Sequence, residues 1–447
     1  MLGFRDIIVL TLLVGSLPFC FIRPAYGTVV WTVMSFLNPQ TFTYGLAREW
    51  SLSVILAVPT LLGWLFFSLK LKRLLCREVI LMAILWLWFT VTLLNADQYP
   101  LFADKAASAW YRWGIVSKVM LMAVVAVGTI DTWARLRWVA LAIAGSFGFL
   151  VVKALPGMLI YGGDFHIYGP PGSMIGDNND FGLALNMALP FFFFLAKTES
   201  SRYVKAIMAV LFAITIPTIF FTYSRGALLG LIAVLAVMLV LTKERRILIP
   251  MTILAIVFAA LFTPPAWRGR MTGTTPESLD ASALSRLNAW SYSWALAKDY
   301  PLMGGGFEAF TPSLFTRYAP DPRDVHGPHS IYLGVLAEHG FTGLFLYLGV
   351  VAMCFSTLRS ITKKAQFHGD VHGAAYASMF RLSLVGFLVS GTFLGRAYFD
   401  FYFTILACTG VLRMLGPMEL PDEEQEESLE LQSGGGEGAL GESGCLT

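Results

Sequence analysis

Apolar positions along this chain come in long unbroken blocks, without the helical stripe of a half-buried surface helix. The clear blocks cover residues 51–69, 79–95, 114–130, 137–156, 181–196, 204–222, 226–242, 247–263, 330–357, 377–394 and 398–415. Each is near the ~20 residues that an α-helix needs to cross roughly 30 Å of hydrocarbon. Two earlier runs, 7–22 and 25–37, are interrupted around Pro18, Pro24 and Pro39, and read either as one span with a short helix or as two short spans. The pattern predicts an all-α polytopic membrane protein of 12 or 13 spans. Polar/apolar alternation, which a transmembrane barrel requires, is absent. Residues 1–415 are expected to form one transmembrane domain that includes a long polar loop at 264–329. Residues 416–447 are acidic and Gly/Ser-rich, and predict a disordered tail.

Composition agrees with that pattern. Only 14% of residues are charged, against about 25% in a soluble domain. Five scattered cysteines, with no C-x-x-C and no Cys/His cluster, predict neither a disulfide framework nor a metal site. The first apolar run is followed by Arg23-Pro24, not by a small-residue cleavage site, so no cleavable signal is expected. Charge then sets orientation. One set of short loops and ends holds Lys70, Lys72, Arg73, Arg77, Arg135, Arg137, Lys197, Arg202, Lys205, Lys243, Arg245, Arg246, Arg359, Lys363, Lys364 and Arg413. The alternate short loops hold Lys105, Arg112, Arg225 and Arg396. Basic loops stay cytoplasmic, so 96–113, 161–180, the corner at 223–226 and the loop at 264–329 are expected outside, and the C-terminal tail inside.

The candidate chemistry lies in those outer segments. Within the long loop, Leu287, Trp290, Trp294 and Ala297 fall on one face of a helix expected over 283–298, with Asp280 or Ser282 as N-cap. Asp299-Tyr300-Pro301 should end it, and Gly304, Gly305 and Gly306 should let backbone approach a ligand closely. Arg225, in TYSRGALLG, and Arg286 each offer a planar fork suited to phosphate. His329 opens the block HSIYLGVLAEHG, and a neutral imidazole can accept a proton from a hydroxyl near neutral pH. His326 competes for that role. Tyr332 shares the helical face of His329 and could orient its ring. His339 reads as a packed histidine. Glu338 is costly inside a span unless paired or wet, and supports the site or a neighbouring helix. Asp177, Asn178 and Asn179 are candidates for sugar hydroxyls, with Asp180 as a helix N-cap. No nucleotide fingerprint appears and nothing points to nucleic acid. A sugar transferase with outward-facing polar groups would therefore draw on a lipid-carried donor.

TYSRGALLG, the DYPLMGGGF block and HSIYLGVLAEHGFTG, in this order on one membrane face, resemble the O-antigen ligase/polymerase superfamily. NPQTFTYGLA and the DNN before a span look like its exosortase A-associated O-glycosylation ligase branch. The resemblance covers residues 5–415. It implies a GT-C-like helical glycosyltransferase with a large periplasmic loop in the bacterial inner membrane. Such an enzyme takes a glycan from undecaprenyl diphosphate and joins it to a hydroxyl of a lipid, polysaccharide or protein acceptor, without a metal or other cofactor. By motif, Arg225 and Arg286 would bind the diphosphate and His329 would be the base. A polymerase of the same fold fits equally. A lipid or polysaccharide flippase would need charges lining a path through the spans, where Lys118, Lys153 and Glu338 are the obvious ones.

Overall fold

The computed structural model describes residues 3–161, 166–242, 245–262 and 276–417. The predicted acidic tail from 418 onward and Asp164 lie outside these residues. Every regular element among the described residues is helical. The helices are α1 (Phe4–Ile22), α2 (Pro24–Leu37), α3 (Leu52–Gly63), α4 (Leu71–Leu74), α5 (Arg77–Ala96), α6 (Ala106–Thr129), α7 (Trp133–Tyr161) and α8 (Asn178–Thr198). There follow α9 (Arg202–Phe220), α10 (Arg225–Leu241), α11 (Arg245–Phe262), α12 (Pro276–Asp299), α13 (Pro312–Tyr318), α14 (Ile331–Phe367), α15 (Val371–Gly391) and α16 (Asp400–Leu415).

Eight of the described helices are long and apolar enough to cross a membrane, and Leu52–Ser68 and Arg225–Leu241 are shorter apolar helices beside them. The bundle is an all-α multi-pass membrane protein. Its outer surface is greasy: Phe66, Val240 and Phe345 are 72%, 77% and 75% exposed. Side chains of that kind face out only where the surrounding medium is itself apolar. Hydrogen bonds inside each helix satisfy the backbone, which is why blocks of this composition fold as helices and not as open strands. The early runs form two helices that break at Arg23, where Pro24 starts the second helix.

The centre of the bundle is α8, which packs against α9, α10 and α15. Small residues let these helices approach closely. A Cβ on Gly182 would meet that of Ala227 at 2.5 Å, and one on Gly230 would meet Ser390 Oγ at 1.9 Å. Asn186 in α8 then donates to Ala227 O at 2.6 Å and to Ser390 Oγ at 3.0 Å, which fixes α8, α10 and α15 in mutual register.

Polar contacts sort the helix ends into two groups. At one end Lys70 pairs with Asp131, Arg137 with Glu199, and Arg413 with the buried Glu78. At the other, Arg112 pairs with Glu308 and Arg396 with Asp180. The split follows the two sets of loops that basic residues separate in the sequence. The second end is called the polar end below.

One expected span is not continuous. The block 330–357 lies within α14, and that helix is interrupted at Gly340, which has φ 68°. Residues 331–339 are a separate short helix at the polar end, so Glu338 and His339 sit at its terminus and not midway through a span. The break is stitched to the preceding loop. Gly305 N–H donates to Ala337 O at 2.8 Å, Gly306 N–H to Glu338 O at 2.7 Å and Phe341 N–H to Pro301 O at 2.8 Å. These bonds satisfy the carbonyls that a helix end leaves open. The three glycines therefore serve protein packing and not a ligand: a Cβ on Gly304 would meet Ala337 O at 2.6 Å.

Candidate functional site

Five segments meet at the polar end, and each is placed by its own local structure. The first is the start of α8. Asp177, not Asp180, is its N-cap, and the Asp177 carboxylate accepts from Asn179 N–H at 2.8 Å. Asn178 Nδ2 donates to Thr222 O at 2.7 Å and Asn179 Nδ2 to Asn178 Oδ1 at 3.3 Å, so both amides are occupied by the protein. Asp180, one turn in, pairs with Arg396 at 2.5 Å.

The second segment is the start of α10. Ser224 caps that helix through Ala227 N–H, which places the exposed Arg225 at its first position. Tyr223 just before it has φ 55°, a conformation that non-glycine residues adopt at a cost. Gly226 follows at a close approach of backbone to protein. A Cβ there would meet Phe393 Cβ at 3.0 Å, so its smallness lets α10 pack on the 392–396 segment.

The third and fourth segments hold each other. Helix α12 begins at Pro276, so Asp280 and Ser282 lie inside it and not before it. Its buried face is Ala289, Tyr292, Leu296 and Ala297, while Leu287 and Trp294 stay exposed. The predicted stripe was rotated because Tyr292 is the large ring that packs inward, stacked on Phe315 at 4.2 Å. From this helix Asn288 Nδ2 donates to Asp321 O at 2.8 Å and Asp324 O at 3.1 Å, and Trp290 Nε1 donates to Pro328 O at 2.7 Å. Those bonds fix the turn that carries His329, whose own φ is 44°. His326 is engaged elsewhere: its Nδ1 lies 2.6 Å from Asp324 Oδ1 and 3.2 Å from Ser285 Oγ. Tyr332 does not orient His329, because its hydroxyl donates to Leu388 O at 2.9 Å.

The fifth segment is 393–399. A Cβ on Gly395 would lie 3.6 Å from His329 Cα, so this loop forms the floor beneath the histidine. Arg396, Tyr398 and Phe399 line a pocket of about 400 Å³ together with His329, Glu338 and Glu308. Glu338 accepts from Glu308 N–H at 2.8 Å and from the Tyr398 hydroxyl. Tyr398 Oη is also 2.7 Å from Nε2 of the buried His339, whose Nδ1 is 2.6 Å from Thr92 Oγ1. A second cavity of about 470 Å³, mostly apolar, shares Met174 and Phe399 with the first.

Electrostatics divide this site. Arg112 and Arg396, which line the pocket, are each paired with a carboxylate, at 2.6 and 2.5 Å. Arg225 and Arg286 are not among the lining residues. Among the described residues neither has an ion pair or hydrogen bond, and they lie within electrostatic reach of each other. Burial and then the Arg225 charge hold the Arg286 pKa below its ordinary value. His329 is open to solvent on one side, yet protein around it and then the Arg286 charge lower its pKa, with Asp177 pulling the other way. Its imidazole is therefore neutral over a wider range than usual. Among the described residues no three His, Cys, Asp or Glu side chains converge as a metal site.

Of the sequence candidates, Arg225, Arg286, His329, Asp177 and Glu338 come together, whereas Asn178, Asn179 and Tyr332 are engaged in holding the protein. Sequence reasoning missed Arg396, Arg112, Glu308 and Tyr398. One signal could have found both arginines: the sparsely basic short loops contain only Lys105, Arg112, Arg225 and Arg396. All four gather at or beside this pocket, Lys105 through its bond to Phe307 O at 2.6 Å.

Comparison with known proteins is consistent with this geometry. Residues 183–348 match the family described as O-antigen ligase, and residues 4–184 match a family of unknown function. A protein of Bacillus subtilis (strain 168) named "Teichuronic acid biosynthesis protein TuaE" is 24% identical over 299 residues, 63% of this chain and 61% of the relative.

Proposed function

We propose that the chain is a member of the O-antigen ligase/polymerase superfamily, whose ligase family model matches residues 183–348, and that it moves a glycan from undecaprenyl diphosphate to an acceptor hydroxyl. The observation that carries this reading is the pair of uncommitted guanidiniums, Arg225 and Arg286, standing beside a neutral histidine. In this reading His329 removes the proton from the acceptor hydroxyl. The oxygen attacks the anomeric carbon from the face opposite the phosphate, and the sugar–phosphate bond breaks with inversion. Its electrons leave with the lipid diphosphate, whose added charge Arg225 and Arg286 hold. Stabilising a departing anion with fixed charges lowers the barrier more than binding the substrate does.

His329 is preferred over His326 because it lines the pocket with Glu338 and Arg396, which His326 does not. The site would face the periplasm at the inner membrane, as the distribution of basic loops suggests. A ligase and a polymerase differ here only in the acceptor, and the same machinery serves both. Branch membership among exosortase-associated ligases is part of this proposal.

The test is a transfer assay with purified protein and lipid-linked donor, run beside donor binding. His329→Ala should lower transfer by about 10² to 10⁴, the range for a lost general base, while donor binding persists. His326→Ala should cost much less. Near-normal turnover in His329→Ala would refute the assignment.

A further inference from the structure

The site has two halves of opposite electrostatic character. Arg225 acts on Arg286 and Arg286 on His329 electrostatically, neither arginine lines the pocket, and among the described residues neither has a carboxylate partner. The half-open pocket that His329 also lines is different: there two arginines meet the three carboxyl groups of Asp180, Glu308 and Glu338. Both arginines are already paired. Even with Glu338 protonated, the pocket holds no surplus of positive charge. Lys105, behind the wall, directs its ammonium at Phe307 O.

We propose that this pocket seats the sugar ring of the acceptor, and that it takes an uncharged, hydroxyl-rich ring while turning an anionic one away. The proposal rests on the transferase reading for the word acceptor, but not for the ring preference. Paired Arg–carboxylate groups present donors and acceptors side by side, which suits neighbouring hydroxyls that both donate and accept. Phe310 and Tyr398 in the lining offer aromatic faces to the C–H side of a ring. A volume of about 400 Å³ lies within the range of small-ligand sites, roughly 300–1,000 Å³. A ring carboxylate or phosphate would enter beside three acids with no free cation to meet it. Anion recognition is thereby left to Arg225 and Arg286, outside the lining, and the lipid diphosphate is discouraged from entering the pocket.

Two variants make this decisive. Gly334 lines the pocket, and a Cβ there meets only Pro328 Cγ at 3.8 Å, so Gly334→Phe should fill the space while leaving Arg225 and Arg286, which lie outside the lining, in place. Asp180→Asn should release Arg396 as a free cation. The measurement is binding of neutral methyl hexosides and the matching methyl hexuronides to the full chain in nanodiscs, by saturation-transfer NMR titration, alongside binding of the undecaprenyl diphosphate donor. In the unaltered protein the neutral glycosides should bind at least tenfold more tightly than the uronides. Gly334→Phe should abolish their binding and leave the donor's intact, and Asp180→Asn should reduce the discrimination several-fold or more. Equal binding of both classes, no millimolar binding of any neutral glycoside, or loss of donor binding in Gly334→Phe would each overturn the proposal. Because the titration needs no turnover, a protein that binds as described but transfers nothing would sink the transferase reading while the ring preference stands.

Discussion

Replacing Arg286 by alanine should produce two linked effects, one on affinity and one on pH dependence. Arg286 has no protein partner among the described residues, so its removal strips only what it offers a ligand. A charge-assisted hydrogen bond contributes about 1.5–3 kcal/mol. Arg286 is only half-buried, and solvent screening places it in the lower part of that range, ~1.5–2 kcal/mol. Donor affinity should therefore fall roughly 10- to 30-fold. The second effect follows from charge. Burial first, and Arg286 next, lower the His329 pKa. A base acts in its neutral form, so activity is retained above the folded pKa and lost as pH falls through it. The acid limb of the profile should thus lie below the ordinary histidine value in the unaltered protein. In Arg286→Ala it should move upward. Arg286→Lys keeps the charge and loses the fork, so the limb should stay while donor affinity falls. The assay is kcat/KM for transfer against pH with donor binding measured in parallel. Unchanged affinity in Arg286→Ala, or an acid limb that stays or moves down, would refute the placement of this residue.

Two more expectations follow. A reporter fused near Gly305 should read external and one placed after Gly416 cytoplasmic, and both on one side would overturn the orientation. Gly340→Ala puts a side chain at φ 68°, ψ −173° with its Cβ 2.4 Å from Leu302 O; that backbone conformation, essentially confined to glycine, alone costs on the order of 1–3 kcal/mol, so the variant should melt at a lower temperature than Gly334→Ala, and an unchanged melting curve would refute the packing described at the break.

How far the sequence could be read depends on the range of each signal. Blocks of apolar residues report a local requirement, that every backbone group bond within its own segment, and so the helical bundle was legible. That Arg225, Arg286 and His329 gather at one end was legible because the basic-loop rule puts their segments on one side. The partners Asp180–Arg396 and Arg112–Glu308 were not, since each joins positions about 200 apart in the chain and no periodicity reports such a distance. Glycine was ambiguous where it was interpreted. Gly304–Gly306, expected to approach a ligand, instead pack against the end of the 331–339 helix, as Gly226 packs against Phe393, and a missing side chain looks the same in sequence whichever neighbour occupies the space. The face of α12 was misjudged because Trp290 and Trp294 outweigh Tyr292 in apolar character, although Tyr292 is the ring that goes inside.

The hydrogen bonds between Gly305, Gly306 and Phe341 on one side and Pro301, Ala337 and Glu338 on the other bear on how such enzymes can be recombined. The long loop and the broken helix share one continuous backbone seam, and Glu308 on one side of it and Glu338 on the other line the same pocket. A chimera that exchanges the loop up to residue 329 alone would pair one parent's clasp with the other's helix end. Residues 300–341 are therefore best exchanged as one piece, and acceptor preference would depend as well on Arg112, Asp180 and Arg396, which line the pocket from outside that piece.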